Sequence, residues 1–541
     1  MSVPVNPFMW ILSALPIVVL ILLMIKFRWG ALKASAVGLA ITLISSFCFF
    51  RADLELIAVE STKGIWNAFV IIIIVWTALL LYHVGNEANA FNVIRDGMRK
   101  LLPNELLLVL AMGWVFESFL QGITGFGVPV AVGAPLLIGI GVQPLWAVII
   151  PLLGQSWGNT FGTLAAAWDS LAMSVGINVG SALYSSTALW TALFIFIWDA
   201  IVGFLICWFY GRGKAVRKGL PAVLILVLIQ GGGELLLSQV NTTLSCFIPS
   251  IISLAAVLLL GKLKTYSTPW CIPNSKIMTG IRSETDTEES RESSSGKKMT
   301  LMQAFLPYFL LSALTVVVLA VKPIYNFLSI FKFGFAFPEV STGYGYINEA
   351  SACYSPIAPF THASMFLFIS AMAGLLFYKK NGWIKDGSVA KVFNSSTLMT
   401  LPSGLAVLVL IVLSRIMGGT GQTAVLASGI AKVLGKAYLI FAPFVGLLGT
   451  FMTGSNMSSN ILFGPFQMTT GALLNVDLAS LLGGQSVGGA IGSAISPSKI
   501  ILGTTTANIA GKEGEVMKKI LPITMVSSLA IGLFDFLKAL I

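Results

Sequence analysis

The chain is poor in charge, in histidine and in cysteine, and each shortage excludes something. Charged residues fill only 10% of 541 positions, against about a quarter in an ordinary water-soluble domain. Hydrophobic residues make up 56%, and the mean hydropathy is +0.89. A soluble fold of this length has no interior large enough for that much apolar surface, so lipid is its solvent. The five cysteines (Cys48, Cys207, Cys246, Cys271, Cys353) are dispersed, with no C-x-x-C. They offer neither a disulfide framework nor a zinc site. The two histidines are His83, beside Gly85-Asn86-Glu87 at a helix end, and His362, in a Pro-flanked segment. No hydrolase triad or zincin motif is present, and Gly231-Gly-Gly-Glu lacks the strand–turn–helix context of a nucleotide loop. The sequence therefore predicts no enzyme, no metal and no cofactor. The flank Met1–Pro7 carries no positive side chain and no small-x-small pattern follows the first apolar run, so that run is read as retained rather than as a cleaved signal.

What the chain has is length of apolar run. Phe8–Ile25, Ala31–Phe50, Ile65–Tyr82, Ser186–Tyr210, Leu301–Val321 and Ile520–Ile541 are each long enough for the roughly 20 residues of a membrane-crossing helix. Leu398–Leu413 is a shorter run of the same kind. None reads as the alternating ten-residue segments of a β-barrel. The net charge of +11 sits in short basic loops rather than in a nucleic-acid patch: Lys26–Lys33, Arg95–Lys100, Arg212–Lys218, Lys262–Lys298 and Lys379–Lys391. By the positive-inside rule these are cytoplasmic, which places the N-terminus outside. The expected fold is an all-α polytopic protein of about 12–14 transmembrane helices, multi-pass in the plasma membrane with the lipid bilayer around it.

The long polar stretch Pro273–Lys298 reads as a disordered cytoplasmic loop joining two halves. The predicted division is residues 1–262, a loop at 263–300, and residues 301–541. Thr453-Gly454 follows Thr124-Gly125 by 329 residues, and Gly484-Gln-Ser follows Gly154-Gln-Ser by 330. Two landmarks at one offset point to a duplication. The first repeat follows a basic loop and the second follows Gly418-Gly-Thr-Gly-Gln-Thr, on the opposite side, which makes the repeats inverted.

In each half an apolar helix is cut by a Gly- and hydroxyl-rich break. Irregular backbone at membrane depth survives only where protein or a wet cavity satisfies it, and paired broken helices point to a transporter site. Freed N–H groups at half-helix N-termini attract anions. The candidate substrate-binding groups at the breaks are Gln121, Gly122, Thr124, Gly125 and Gly127 in the first half. Ser455, Asn456, Ser458, Ser459 and Asn460 are their counterparts in the second. Gln155, Ser156, Gln485 and Ser486 join them because they recur in both halves. The glycines of Gly154-x-x-x-Gly158 and Gly484-x-x-x-Gly488 equally fit helix packing. Intramembrane charges are costly and usually functional. Arg415 and Lys499 could pair an anion, while Glu117, one turn before Gln121, and Asp169 are candidate coupling-ion sites. Asp199, Glu234 and Asp535 also lie in or near apolar runs. Thr342-Gly-Tyr-Gly-Tyr faintly resembles a potassium filter but sits in a polar loop with Pro338, Glu339 and Glu349.

At the same breaks the sequence resembles the L-lactate permease family. The resemblance is carried by Phe119-Leu-Gln-Gly-Ile-Thr-Gly-Phe-Gly-Val-Pro-Val, Phe451-Met-Thr-Gly-Ser-Asn-Met-Ser-Ser-Asn-Ile-Leu-Phe, Gly488-Gly-Ala-Ile-Gly-Ser-Ala-Ile-Ser-Pro and Gly511-Lys-Glu-Gly. It implies a proton-linked symporter of lactate, glycolate and related 2-hydroxy monocarboxylates in a bacterial or archaeal plasma membrane. The chain departs from the family pattern where Gln121 and Asn456 stand in place of acidic residues. Gln155-Ser156 and Gln485-Ser486 stand in place of Asn-Thr, and Arg415 and Lys499 are unusual. The resulting expectation is a symporter coupling a small monocarboxylate to a proton or sodium ion. The alternatives are a carrier of another organic anion, such as a sodium-coupled dicarboxylate, and an anion channel.

Overall fold

The computed structural model describes residues 3–27, 29–125, 127–279, 298–385 and 387–540. Most of the predicted polar loop, residues 280–297, lies outside the described residues. Among the described residues, 11 helices are long and apolar enough to cross a membrane. The number is 12 if Leu306–Leu319 and Lys322–Leu328, bent by 86°, form one span. The helix Ala182–Ser238 is interrupted at Gly211 (φ −166°) and Arg212 (φ 53°), so residues 182–210 and 213–238 are two helices. The basic stretch Arg212–Lys218, expected as a loop, is thus a two-residue kink that leads straight into the next helix.

The segment around the filter-like motif is not a featureless loop. Phe333–Phe337 pairs antiparallel with Ser351–Ile357, and Val340–Ser341 pairs with Ile347–Asn348. Alternating Phe333, Phe335 and Phe337 supply the pattern of a short strand. Trp66 stacks edge-on against Phe333 and Phe335 and donates to the Ser355 carbonyl at 3.0 Å. These ladders therefore sit on the long helix Leu54–Glu87.

Two hairpins made of broken helices form the centre. The first rises from Glu105 through a π-turn at Ala111–Val115 to Ile123 and breaks at Thr124, Gly125 and Gly127. It then returns as Val128–Gly139. Both of its ends touch one segment: Glu105 N–H donates to the Trp270 carbonyl (3.1 Å), and Gln143 N–H to that of Ile277 (2.7 Å). The hairpin therefore comes back to the side from which it entered. The second hairpin, Tyr438–Thr453 and Asn456–Leu474, behaves alike. Lys436 donates to the Ala539 carbonyl and Lys538 pairs with Asp477, so both of its ends meet the last turn of Glu513–Leu540. Near the start of that same helix Lys519 lies over the Trp146 ring, 5.1 Å from its centroid and just past the first hairpin's returning end at Gln143. From Lys519 to Lys538 the helix rises about 28 Å, so the two hairpins enter from opposite faces.

Each hairpin is followed by a second broken helix. Pro144–Gly154 breaks at 155–161 and continues as Gly162–Val175. Leu478–Gly492 breaks at 493–496 and continues as Pro497–Thr506. The Gly-Gln-Ser match does not mark equivalent backbone. Gly154 ends its helix, whereas Gly484 lies inside Leu478–Gly492, and the break comes eight residues after Gln485.

The small-residue pattern works as helix packing. A Cβ on Gly488 would collide with the Pro443 carbonyl, one on Gly446 with that of Gln485, and one on Gly154 with that of Gly113. These helices touch backbone to backbone, as small-x-x-x-small contacts do. Replacing Gly488 by Leu is expected to destabilise the solubilised protein by about 2 kcal/mol or more. A thermal-unfolding scan of the detergent-solubilised protein tests this, and an unchanged transition would contradict the close contact.

Candidate functional site

The breaks of both hairpins and both broken helices meet at one cavity of about 30 Å³. Gln121, Gly125, Asn159, Thr163, Ser455, Asn456 and Lys499 contribute to its wall, with Gly162, Ala166, Ala167, Gly454 and Met457 between them. The local chemistry explains the breaks. Gly125 and Gly127 have φ of 60° and 85°, and Gly454 has φ 77°, a region glycine enters at no steric cost. A Cβ on Gly125 would strike the Thr163 hydroxyl, and one on Gly454 the Ser498 hydroxyl, so the glycines also allow the breaks to approach each other. Thr163, Leu164 and Ala165 take left-handed φ of 51°, 51° and 69°. Such backbone costs about 1–2 kcal/mol per residue, and strain of this kind gathers at functional sites.

Three helix N-termini converge here. Gly127 is the N-cap of Val128–Gly139, Ser455 of Asn456–Leu474, and Ser496 of Pro497–Thr506. Ser455 Oγ accepts from Ser458 N–H at 3.3 Å, which satisfies one of the freed donors. The others leave a positive potential that favours an anion. Lys499, in the first turn of its helix and 4% exposed, adds an amine that carries a positive charge when protonated. Its Nζ donates to Asn159 Oδ1 (3.2 Å) and Gln155 Oε1 (3.4 Å). Among the described residues it forms no ion pair. Gln121 Oε1 and Asn456 Oδ1 are buried without a partner. The wall thus presents a lysine amine, helix N-termini and the amide and hydroxyl side chains of Gln121, Asn159, Thr163, Ser455 and Asn456, a set that suits a carboxylate carrying a hydroxyl.

Behind the cavity a polar network joins the halves. Asn456 Nδ2 donates to Thr160 Oγ1 (3.1 Å), which lies 3.1 Å from Ser486 Oγ. Asn460 Nδ2 donates to Ser486 Oγ (3.0 Å) and to the Ala167 carbonyl (3.0 Å). Asn159 Nδ2 reaches Ser493 Oγ at 2.9 Å. Side-chain bonds across the two halves fix the spacing of the breaks.

The predicted residues therefore divide. Gln121, Gly125, Ser455, Asn456 and Lys499 line the cavity. Gln155 touches Lys499, and a Cβ on Gly127 would meet Lys499 Cγ at 3.8 Å. Asn460 and Ser486 sit in the network. Thr124 Oγ1 caps its own helix at Leu120, and Gly122 packs on Phe247. Ser156 Oγ accepts from Trp198 Nε1 at 2.8 Å, on the side away from the cavity. Ser458 contributes its backbone N–H to the cap. Ser459 Oγ donates to the Gly446 carbonyl (2.8 Å), and Gln485 bonds to Gln467 and Ser459 inside the second hairpin. Arg415 stands in a separate cavity, paired with Glu60 at 2.5 Å. Glu117 is fully buried against Gly133 with neither carboxylate oxygen partnered. Glu117 and Asp169 are both absent from the cavity wall. The sequence reading missed Asn159, Thr160 and Thr163. Their signal was available: Gly158-Asn-Thr-Phe-Gly-Thr is a Gly- and hydroxyl-rich run like the other breaks.

Comparisons with known proteins agree along the chain. Residues 9–541 match the family model described as L-lactate permease. The L-lactate permease of Halalkalibacterium halodurans is 24% identical over 521 residues, covering 94% of this chain and 92% of that protein. The L-lactate permease of Streptococcus iniae is 27% identical over 477 residues, covering 87% and 92%. The glycolate permease of Escherichia coli is 24% identical over 558 residues, covering 98% and 95%. Among solved structures, the YdaH transporter of Alcanivorax borkumensis aligns over 86% of this chain and 84% of its own, at 11% identity and a TM-score of 0.42, too low to carry a conclusion. The match over nearly the whole length, on a bundle of membrane-crossing helices, makes the chain a member of the L-lactate permease family, a multi-pass plasma-membrane permease rather than an enzyme.

Proposed function

We propose that this permease is a secondary active symporter that takes up a small 2-hydroxy monocarboxylate, such as L-lactate or glycolate, with a coupling cation. The observation that carries this reading is Lys499, a buried cation without a counter-ion at the meeting of three helix N-termini. The names of the relatives, lactate and glycolate permeases, point to the same substrate class. The substrate carboxylate lies against Lys499 and the N-terminus of Asn456–Leu474. The hydroxyl donates to Asn456 Oδ1 or Gln121 Oε1, the two orphaned acceptors. One carboxylate is all that a single uncompensated cation neutralises, which favours a monocarboxylate over a dicarboxylate.

The two hairpins with their following broken helices are read as inverted repeats of the halves 1–262 and 301–541. Their entry from opposite faces and their common order of hairpin followed by broken helix support this. A cavity of about 30 Å³ holds two or so water molecules. Substrate therefore enters when one hairpin moves against the other, as in alternating access. Coupling runs through Glu117, a buried carboxyl without a partner, one helical turn before Gln121 on the same helix face. A proton or a sodium ion on Glu117 would satisfy a group that is otherwise costly at this depth, and the shared helix carries its effect to the cavity.

Three outcomes follow for purified protein in proteoliposomes. Uptake of labelled lactate should saturate and follow one imposed gradient, proton or sodium; current without saturable uptake would establish a channel instead. Lys499→Gln should raise the KM for lactate at least tenfold, the weight of one charge-assisted contact, and normal kinetics would remove Lys499 from the site. Glu117→Gln should abolish the dependence on the driving gradient while leaving exchange of lactate for lactate. Unaltered dependence would refute the coupling role.

A further inference from the structure

Arg415 opens a second cavity, of about 100 Å³, larger than the one between the breaks. Its polar wall consists of Asn67, Ser170, Ser174, Asn348, Ser414 and Arg415. Resting on the reading of the protein as a monocarboxylate carrier, we propose that this cavity is an outer substrate site, which captures the anion before it moves to the cavity at Lys499.

The charge balance is the first argument. Glu60 is fully buried, and its two oxygens hold two cations: Oε1 lies 2.8 Å from Lys63 Nζ, and Oε2 lies 2.5 Å from an Arg415 terminal nitrogen. Two positive charges share one negative charge, so the cluster carries a net +1. Lys63 is 4% exposed at its side chain but that of Arg415 is 25% exposed, so the surplus faces the cavity through the guanidinium. The Tyr354 ring covers another side of Arg415, its centroid 5.5 Å from Cζ, and fixes the plane of the fork.

Polar groups in the wall supply the second argument. Asn67 is 3% exposed; its Nδ2 donates to Tyr354 OH at 2.9 Å, and its Oδ1 is buried without a partner. Arg415 Nε is likewise buried and unpartnered. A guanidinium and an amide in one cavity wall repeat the pairing of Lys499 and Asn456 in the other. It fits a carboxylate on Arg415 and an adjacent hydroxyl on Asn67.

Position is the third. Ser170 and Ser174 lie on the Gly162–Val175 helix, within two turns of Ala166 and Ala167, which line the inner cavity. Ile461 and Pro465 stand in the same relation to Met457 on Asn456–Leu474. At 1.5 Å per residue the two cavities are only about 5–12 Å apart along both helices. Asn460 stands between them, its amide on the Ala167 carbonyl and its own carbonyl accepting from Ser174 Oγ at 3.3 Å. Parting of these two helices joins the cavities into one path.

Equilibrium binding of labelled lactate to purified full-length protein tests the proposal. Wild type should bind two lactates per chain, and Arg415→Gln and Lys499→Gln one each. In uptake, Arg415→Gln should raise KM about tenfold or more with a maximal rate within twofold of wild type, and Arg415→Lys should restore most of the loss. Glu60 keeps Lys63 in Arg415→Gln, so the buried carboxylate stays paired. If that variant does not fold, Asn67→Asp places a negative charge in the same cavity, leaves the ion pairs intact and should remove one bound lactate. One lactate per wild-type chain, unaffected by Arg415→Gln and Asn67→Asp, would overturn the outer site and leave the inner one standing. No lactate bound to wild type would overturn both readings.

Discussion

A buried ammonium without a counter-ion is the constraint around which the rest of this structure is arranged. Lys499 is held by two amide oxygens, from Gln155 and Asn159, and neither supplies a negative charge. A charge at membrane depth costs several kcal/mol even by the more lenient scales, so a fold that keeps one there must be built to tolerate it. This one surrounds it with broken helices whose backbone and side-chain polar groups belong to four separate segments. Because each segment is short and interrupted, its freed C=O groups need partners: Asn159 and Asn460 donate to the Gln155 and Ala167 carbonyls, and side-chain bonds among Asn159, Thr160, Asn456, Asn460, Ser486 and Ser493 tie the two halves together.

The same arrangement explains why the scaffold is so rich in glycine. Helices that place polar breaks at a common point must cross closely, and at Gly446, Gly488 and Gly154 the backbones touch with no room for a methyl group. Between lipid-embedded helices, close packing replaces the hydrophobic drive of a soluble core. The long outer helices, apolar and partly exposed, surround this centre. The short ladders at 333–357 cover the end of Leu54–Glu87 through Trp66 and Asn67.

Much of this architecture could be read from the residues alone, because its determinants are local. Long apolar runs mean membrane helices, and Gly125 and Gly454 adopt the left-handed backbone that a Gly next to hydroxyl residues suggests. Side-chain direction was not legible. Ser156 and Gln155 are neighbours, yet one bonds to Trp198 and the other meets Lys499. The Glu60 partner of Arg415 is 355 residues away in sequence, so the sequence could not separate Arg415 from the inner site. The Gly-Gln-Ser repeat suggested equivalent breaks, but in the second half it is helical. There Gln485 finds Gln467 and Ser459 of the preceding hairpin as partners, so no break is needed to satisfy it. The run at 158–163 marks a break, but the left-handed conformation of 163–165 had no signal of its own, since tertiary contacts rather than propensity impose it.

The central claim is that the inner cavity recognises the negative charge of a carboxylate through Lys499. It is tested most directly by counterflow in proteoliposomes loaded with unlabelled compound and supplied with labelled lactate outside. Internal lactate and glycolate should each accelerate entry of label, whereas lactamide, which keeps the shape and hydroxyl but lacks the charge, should not. Equal acceleration by lactamide would contradict the account, because the uncompensated cation would then have no part in recognition.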